Sequence, residues 1–331
     1  MSGKMIAAIG VALMAGLGIA FALLRPEPKP KPEPMAWAYP FPSSRNLPTT
    51  FRDLPVYTVP GSKQHFTQAR WDAAFEPGGG ILDWFPDEHP PMPTVVSHGR
   101  KPAVMACAYC HLSNGQSGYG MPNLSGLSSD YILEQLAAFR AGTRKPSLPT
   151  RYAVMNNITQ HLSPADADAA AADFASLPHA PWITVREAAA VPKFGPTFWG
   201  GYQPVPGSGT ISLGDRIIEL PLDEQRAELG DPHSGYVAYV PPGSLARGRA
   251  IAEHGYGGQP ACTTCHGADL KGVGVAPPLA GRSPTYMARQ LWDMHTGNRR
   301  GGNVALMQPV VRALDPQVIV AVAAYAASLR P

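Results

Sequence analysis

The sequence predicts a mainly α-helical protein: two small lobes of one design, behind an N-terminal apolar segment and joined by irregular extensions. Three observations carry this expectation. The chain repeats itself at an offset of 155 residues, both copies hold paired helix-capping signals, and its start contains an uncharged run of 20 residues.

That run extends from Met5 to Leu24 and is long enough for one membrane-spanning helix. A cleaved signal peptide is the rival reading, because Ala20-Phe21-Ala22 fits a small-residue cleavage site. The length favours an anchor, since the apolar part of a signal peptide runs only about 7–15 residues. Charge points the other way: Lys4 precedes the run, whereas Arg25, Lys29 and Lys31 follow it, which by the positive-inside rule puts the body in the cytoplasm.

Residues 1–25 are therefore expected to be a transmembrane anchor or signal peptide. Residues 26–94 form a Pro-rich tether, RPEPKPKPEP at its start, and an irregular extension. The two lobes cover 95–180 and 243–331. Between them, 181–242 is rich in Gly and Pro, with strand-like runs at 216–220 and 236–240, and is too long for a plain linker.

The repeat defines the lobes. Cys107, Cys110 and His111 fall on Cys262, Cys265 and His266. Pro122, Leu124, Gly126, Ser128, Tyr131, Gln135, Gly142 and Arg144 fall on Pro277, Leu279, Gly281, Ser283, Tyr286, Gln290, Gly297 and Arg299. Beyond three extra residues in the first copy the offset becomes 152, and Met155, Leu162 and Pro164 meet Met307, Leu314 and Pro316. Ser128 and Ser283 are placed as N-caps, Gly142 and Gly297 as C-terminal stops, and Ser163-Pro164 and Asp315-Pro316 as a cap followed by proline at the first helical position.

With 34 Gly and 37 Pro in 331 residues, lobes this small are short of core material unless something large and apolar is buried with them. The four cysteines say what. They form two C-x-x-C pairs, each followed by His, and none is left for a disulfide or a catalytic thiol. C-x-x-C-H is the attachment pattern of a c-type haem: two thiols spaced by three sit on one face of a helical turn, and the next residue reaches the iron. Zinc would have to join pairs about 150 residues apart, and a redox dithiol has no need of the His.

The register also selects a sixth ligand. Of the methionines that follow each motif, Met121, Met287 and Met294 are matched by Ala276, Ile132 and Phe139, so their positions accept any apolar side chain. Met155 and Met307 are methionine in both copies, and a thioether favours ferrous iron and raises its potential. A ligating His usually donates its other ring N–H to a fixed acceptor. The Pro122 and Pro277 carbonyls, 11 residues beyond each His, are the candidates. Arg144 and Arg299 are candidates to pair with haem propionates. Replacement of Met by another histidine, such as His161 or His295, is the alternative.

His111…Met121-Pro122-Asn123-Leu124-Ser125-Gly126-Leu127 resembles the His…Gly-Pro-Asn-Leu-x-Gly-Leu signature of class I cytochromes c, and Val275-Ala276-Pro277-Pro278-Leu279-Ala280-Gly281 is a looser copy. The tandem arrangement is similar to the di-haem class I cytochromes of bacterial respiratory chains, some of them membrane-anchored. The resemblance covers about 95–180 and 243–331. It implies two tandem all-α class I cytochrome c domains with two covalently bound haem c groups, on the periplasmic side of a bacterial inner membrane. There they would pass single electrons between a redox-protein donor and acceptor, such as a quinol-oxidising complex, a dehydrogenase or a terminal oxidase.

On that reading the chain is a carrier, with no nucleic-acid partner and no small-molecule substrate. The alternatives are a di-haem enzyme (a peroxidase or a sulfur-compound-oxidising cytochrome) and a subunit of a larger oxidase or dehydrogenase. The first generally needs an iron without a strong distal ligand, or a Cys ligand, whereas all four cysteines are spent. Charge is uneven: 243–331 carries nine Lys/Arg against four Asp/Glu, and 181–242 carries four against seven.

Overall fold

The computed structural model of the chain describes residues 33–39, 54–118, 120–148, 153–197 and 201–331. In chain order, β1 (Val56–Tyr57) pairs antiparallel with β2 (Phe66–Thr67), which runs into helix α1 (Gln68–Ala73). Lobe 1 then comprises α2 (Thr94–Ser97), the hairpin of β3 (Gly99–Arg100) and β4 (Val104–Met105), α3 (Cys107–His111), α4 (Ser129–Arg140), α5 (Val154–His161) and α6 (Pro164–Ser176).

The interlobe segment supplies β5 (Ile183–Glu187), β6 (Ala190–Pro192), β7 (Phe194–Pro196), β8 (Tyr202–Pro204), β9 (Thr210–Ser212), β10 (Ile218–Pro221), α7 (Glu224–Glu228) and β11 (Tyr236–Val240). β11 lies centrally, antiparallel to β10 and parallel to β5, while β6 pairs with β9 and β7 with β8. Lobe 2 follows as α8 (Ser244–His254), α9 (Cys262–His266), α10 (Pro284–His295), α11 (Gln308–Arg312) and α12 (Pro316–Ser328).

The expectation of a mainly α fold is thereby corrected to a mixed one, with eleven short strands among the described residues. Outside the repeat, Pro and Gly interrupt helices, and the short β-branched and aromatic runs between them pair instead. The N-terminal transmembrane helix is not supported either: no described helix is long and apolar enough to cross a membrane. The run 5–24, on which that expectation fell, and most of the Pro-rich tether lie outside the described residues.

Within the lobes, local signals act where the sequence places them. Ser128 and Ser283 accept from the amides of Tyr131 and Tyr286, and Ser163 and Asp315 cap α6 and α12, each with Pro at the first helical position. Gly142 and Gly297 take φ of 67° and 77°, the left-handed geometry that stops α4 and α10.

Helix α12 is apolar nearly all round and is the spine of the lobe 2 core, burying Val318, Ile319, Val320 and Val322. Each such side chain contributes roughly 1.5–3 kcal/mol by leaving water. It crosses α8 at Gly248, where a Cβ would overlap the Ala321 carbonyl. Lobe 1 keeps α3, α4 and α6 of this plan but reduces the first helix to the single turn of α2, with Val95 and Val96 fully buried against α6 partners such as Ala171 and Phe174.

Both lobes lie in one unit, Pro34–Pro331. The extension is divided between them. Met35, Ala38 and Tyr39 join the lobe 2 core, with the Tyr39 hydroxyl donating to Asp293. Residues 54–85 build a separate aromatic cluster of Tyr57, Trp71, Trp84 and Phe85 with Leu229 of the interlobe segment.

Candidate haem sites and the lobe junction

In both lobes the C-x-x-C-H residues form a helix of little more than one turn, so the two sulfurs share a face and the His closes the turn. None of the four cysteines is in a disulfide. Cys107 donates to the Val95 carbonyl at 3.4 Å, and burial pushes its thiol up to about 12. Burial likewise raises Cys262.

His111 and His266 are buried, and each Nδ1 lies within hydrogen-bond distance of a proline carbonyl: Pro122 at 3.0 Å and Pro277 at 2.9 Å. A carbonyl only accepts, so Nδ1 carries the proton and Nε2 keeps its lone pair. Burial holds both rings neutral. His111 falls to about 4, with the Arg144 charge assisting and the Pro122 carbonyl opposing; His266 is lowered mainly by burial. The loops that deliver the two carbonyls share one path. Leu124 N donates to the Gly115 carbonyl at 2.7 Å, and Leu279 N to the Leu270 carbonyl at 2.8 Å.

The two candidate methionines occupy unequal settings. Met307 is half-buried at the start of α11 and packs on the lobe 2 core. Met155 is half-buried at the start of α5, its carbonyl accepting from the Thr159 hydroxyl at 2.9 Å. Met287 and Met294 are core residues of lobe 2, and buried Met121 lines a cleft beside α3. The His161 ring is exposed, and His295 stacks on Trp292 with its Nδ1 at the Val311 carbonyl.

Arg144 and Arg299 meet at the lobe junction. Arg144 donates to Gln135 of its own lobe and to Tyr286 and Gln290 of the other. Arg299 donates to Gln290 of its own lobe and to Tyr131 and Gln135 of the other. The backbone repeats the exchange: Lys145 N donates to the Asn298 carbonyl and Arg300 N to the Thr143 carbonyl, each at 2.9 Å. Tyr131, Gln135, Tyr286 and Gln290 were visible as repeat identities, and their spacing of four puts each pair on one helix face, yet nothing in one lobe's sequence shows that this face meets the other lobe.

Further contacts, one across the lobes and one from the interlobe segment to lobe 2, left no sequence signal. Arg282 donates to the Asn123 and Ser125 carbonyls, and buried Glu219 accepts from the Ser283 hydroxyl and the Thr285 amide.

These residues fit a haem in each lobe. The hydrogen bonds of both junction arginines go to neutral amide and phenol oxygens. Two buried donors of lobe 2, Arg299 Nε and Trp292 Nε1, have no acceptor among the described residues. An anionic propionate is the group that would satisfy either.

The family model for cytochrome c matches two stretches of the chain, 96–173 and 245–330. The chain is 27% identical over 234 residues to the "Thiosulfate dehydrogenase electron acceptor" of Stutzerimonas stutzeri, spanning 70% of this chain and 82% of that one. It is 40% identical over 68 residues to cytochrome c-554(548) of Halomonas halodenitrificans, 20% of this chain and 82% of the relative. It is also 40% identical over 87 residues to cytochrome c4 of Pseudomonas aeruginosa, 25% of this chain and 40% of that one. With one C-x-x-C-H turn in each matched stretch, the chain belongs to the cytochrome c family, and it is an electron carrier with two covalently bound haem c groups.

Proposed function

We propose that the chain relays single electrons between redox proteins of a respiratory chain, on the outer side of a bacterial inner membrane. Cys107 and Cys110 would attach one haem, its iron held by His111 and Met155; Cys262 and Cys265 would attach the other, its iron held by His266 and Met307. The observation that carries this reading is the repeated His–proline carbonyl bond, which fixes the same tautomer in both lobes and leaves Nε2 free to ligate.

When bound, each haem supplies a one-electron Fe(III)/Fe(II) couple. The chain's part is to orient the imidazoles, to pack apolar side chains around the ring, and to set cationic donors at the lobe junction. Matched His and Met in both lobes leave no open iron position, which favours carriage over peroxide or sulfur chemistry. Placement outside the cytoplasm rests on where attachment of this kind takes place in the resembling cytochromes. The relative named as an electron acceptor of thiosulfate dehydrogenase supports a dehydrogenase of a small sulfur oxyanion as donor, and a terminal oxidase is the proposed acceptor.

The test is spectroscopic. Both ferric haems should show the far-red band of Met ligation, and the reduced protein should not bind carbon monoxide. Ready binding of carbon monoxide, or absence of the band, overturns the ligand assignment.

A further inference from the structure

The loop that follows the attachment helix is built twice on one backbone path but covered only once. In lobe 1 it spans 112–121, and its described residues are buried or half-buried throughout. The interlobe segment ties it down. Gln116 Nε2 donates to the Ala180 carbonyl at 3.0 Å, Trp182 Nε1 to the Ser117 carbonyl at 2.7 Å, and Asn114 Nδ2 to the Pro232 carbonyl at 2.8 Å. Leu112 is packed between Trp182, Ala227 and Tyr236.

The extension locks this cover from outside. Trp84 Nε1 donates to the Leu229 carbonyl at 2.8 Å, Arg226 donates to the Pro60 carbonyl, and His233 faces Glu88 at 2.7 Å. Phe75, Tyr109, Met121, Leu229 and Tyr236 wall the side of the attachment turn on which Cys110 lies.

In lobe 2 the equivalent loop, 267–276, has no such cover among the described residues. Val273 and Val275, which replace Gly118 and Gly120, stand 63% and 60% exposed. Two β-branched apolar residues this bare within three positions form a small apolar patch beside the attachment turn. The described surface of this lobe is cationic: Arg247, Arg249, Lys271, Arg300, Arg312 and Arg330 are exposed, against the carboxylates Glu253, Asp269 and Asp315.

We infer that protein partners exchange electrons with this chain through lobe 2 alone, docking an acidic-rimmed one-electron redox protein over Val273 and Val275 beside the Cys262–His266 turn. The 180–182 and 226–234 segments cover the lobe 1 edge, so lobe 1 exchanges with protein partners only by way of lobe 2. Each transfer moves one electron: the partner's metal rises by one oxidation state, one ferric iron of this chain becomes ferrous, and no bond or proton changes. The inference rests on the carrier reading above.

Two one-electron reductants of different size test it: hexaammineruthenium(II) ion, and reduced rubredoxin, a small acidic protein whose single iron goes from ferrous to ferric. The ruthenium ion should reduce both haems of wild type and of V273E/V275E at rates within about twofold of each other. Rubredoxin should reduce wild type fully, and V273E/V275E should slow the whole of that absorbance change roughly tenfold. If half or more of the rubredoxin-driven change keeps its wild-type rate in the variant, lobe 1 is open to proteins and the inference is overturned. A chain that the ruthenium ion cannot reduce fails as a carrier, a separate outcome.

Binding gives an independent readout. Oxidised rubredoxin should protect the amides of 267–276 from hydrogen exchange and leave those of 112–118 unchanged. Protection of 112–118 instead would overturn the assignment.

Discussion

Arg144 and Arg299 hold equivalent places in the two lobes, and each donates to the tyrosine and glutamine of the lobe it does not belong to. Both are buried, and Gln135 and Gln290 each accept from both arginines. Removing either guanidinium strands several buried acceptors. Arg299→Met should therefore lower the free energy of unfolding by about 3 kcal/mol in guanidinium titrations of the holoprotein. Because the residues share acceptors, R144M/R299M should cost clearly less than the sum of the two single variants. Strict additivity would mean that the network is not one unit.

The crossing of α8 and α12 depends on a glycine whose Cβ position is already filled by the Ala321 carbonyl. Gly248→Ala should push the helices apart and destabilise lobe 2 by about 2–3 kcal/mol, despite alanine's better helix propensity. A thermal scan followed at both haem and far-ultraviolet wavelengths checks this. An unchanged or raised midpoint would show that the crossing can relax.

If the proposed ligation holds, Met307→Ala should abolish half of the far-red band and lower one of the two midpoint potentials. The shift should be on the order of 0.1 V, a fraction of the roughly 0.8 V that axial ligand choice spans. Met155→Ala should do the same to the other haem. A redox titration with the two haems resolved reads both. Loss of the same haem's signal in both variants would refute the assignment of one Met per lobe.

His179 sits at the lobe junction, with Nδ1 at 3.2 Å from the Ser125 hydroxyl and Nε2 buried. Burial, followed by the Arg282 charge, lowers it to about 4, against the Ala280 backbone, which acts to raise it. The fold thus prefers the neutral ring while the unfolded chain takes up a proton near the ordinary value of about 6.5. The sign follows: its contribution is intact above pH ~6.5 and is lost as pH falls towards 4. His179→Gln should lose less stability between pH 7 and pH 4.5 than wild type does. Parallel pH curves for the two proteins would assign the acid sensitivity elsewhere.

The two lobes were legible because their signals are local. C-x-x-C-H, a proline 11 residues on, a serine cap and a glycine stop all act within one or two turns, and having each twice removed accidental matches. What the sequence hid is long-range or conformational. Tyr39 to Asp293, Trp84 to Leu229 and Trp182 to Ser117 join residues 254, 145 and 65 positions apart, with no periodicity to announce them. The strands arise where such contacts settle, which is why a mainly α reading fell short.

Backbone strain was equally invisible. Leu112 and Leu270 take a positive φ of 54° where the other copy places Gly267 and Gly115. A leucine at such a φ costs roughly 1–3 kcal/mol, which its burial offsets.

The exchange of partners at the junction has a consequence for how such a chain comes to exist. A residue of one copy meeting a second residue of the other, while the reverse contact is made as well, is the geometry of a two-fold symmetric dimer. A single-lobe chain bearing only the tyrosine, the glutamine and the arginine could bury the same six side chains by pairing with itself. Fusion into one polypeptide makes that pairing independent of concentration, and it releases the halves from being identical. One half could then surrender its first helix and hide its loop while the other kept its face open.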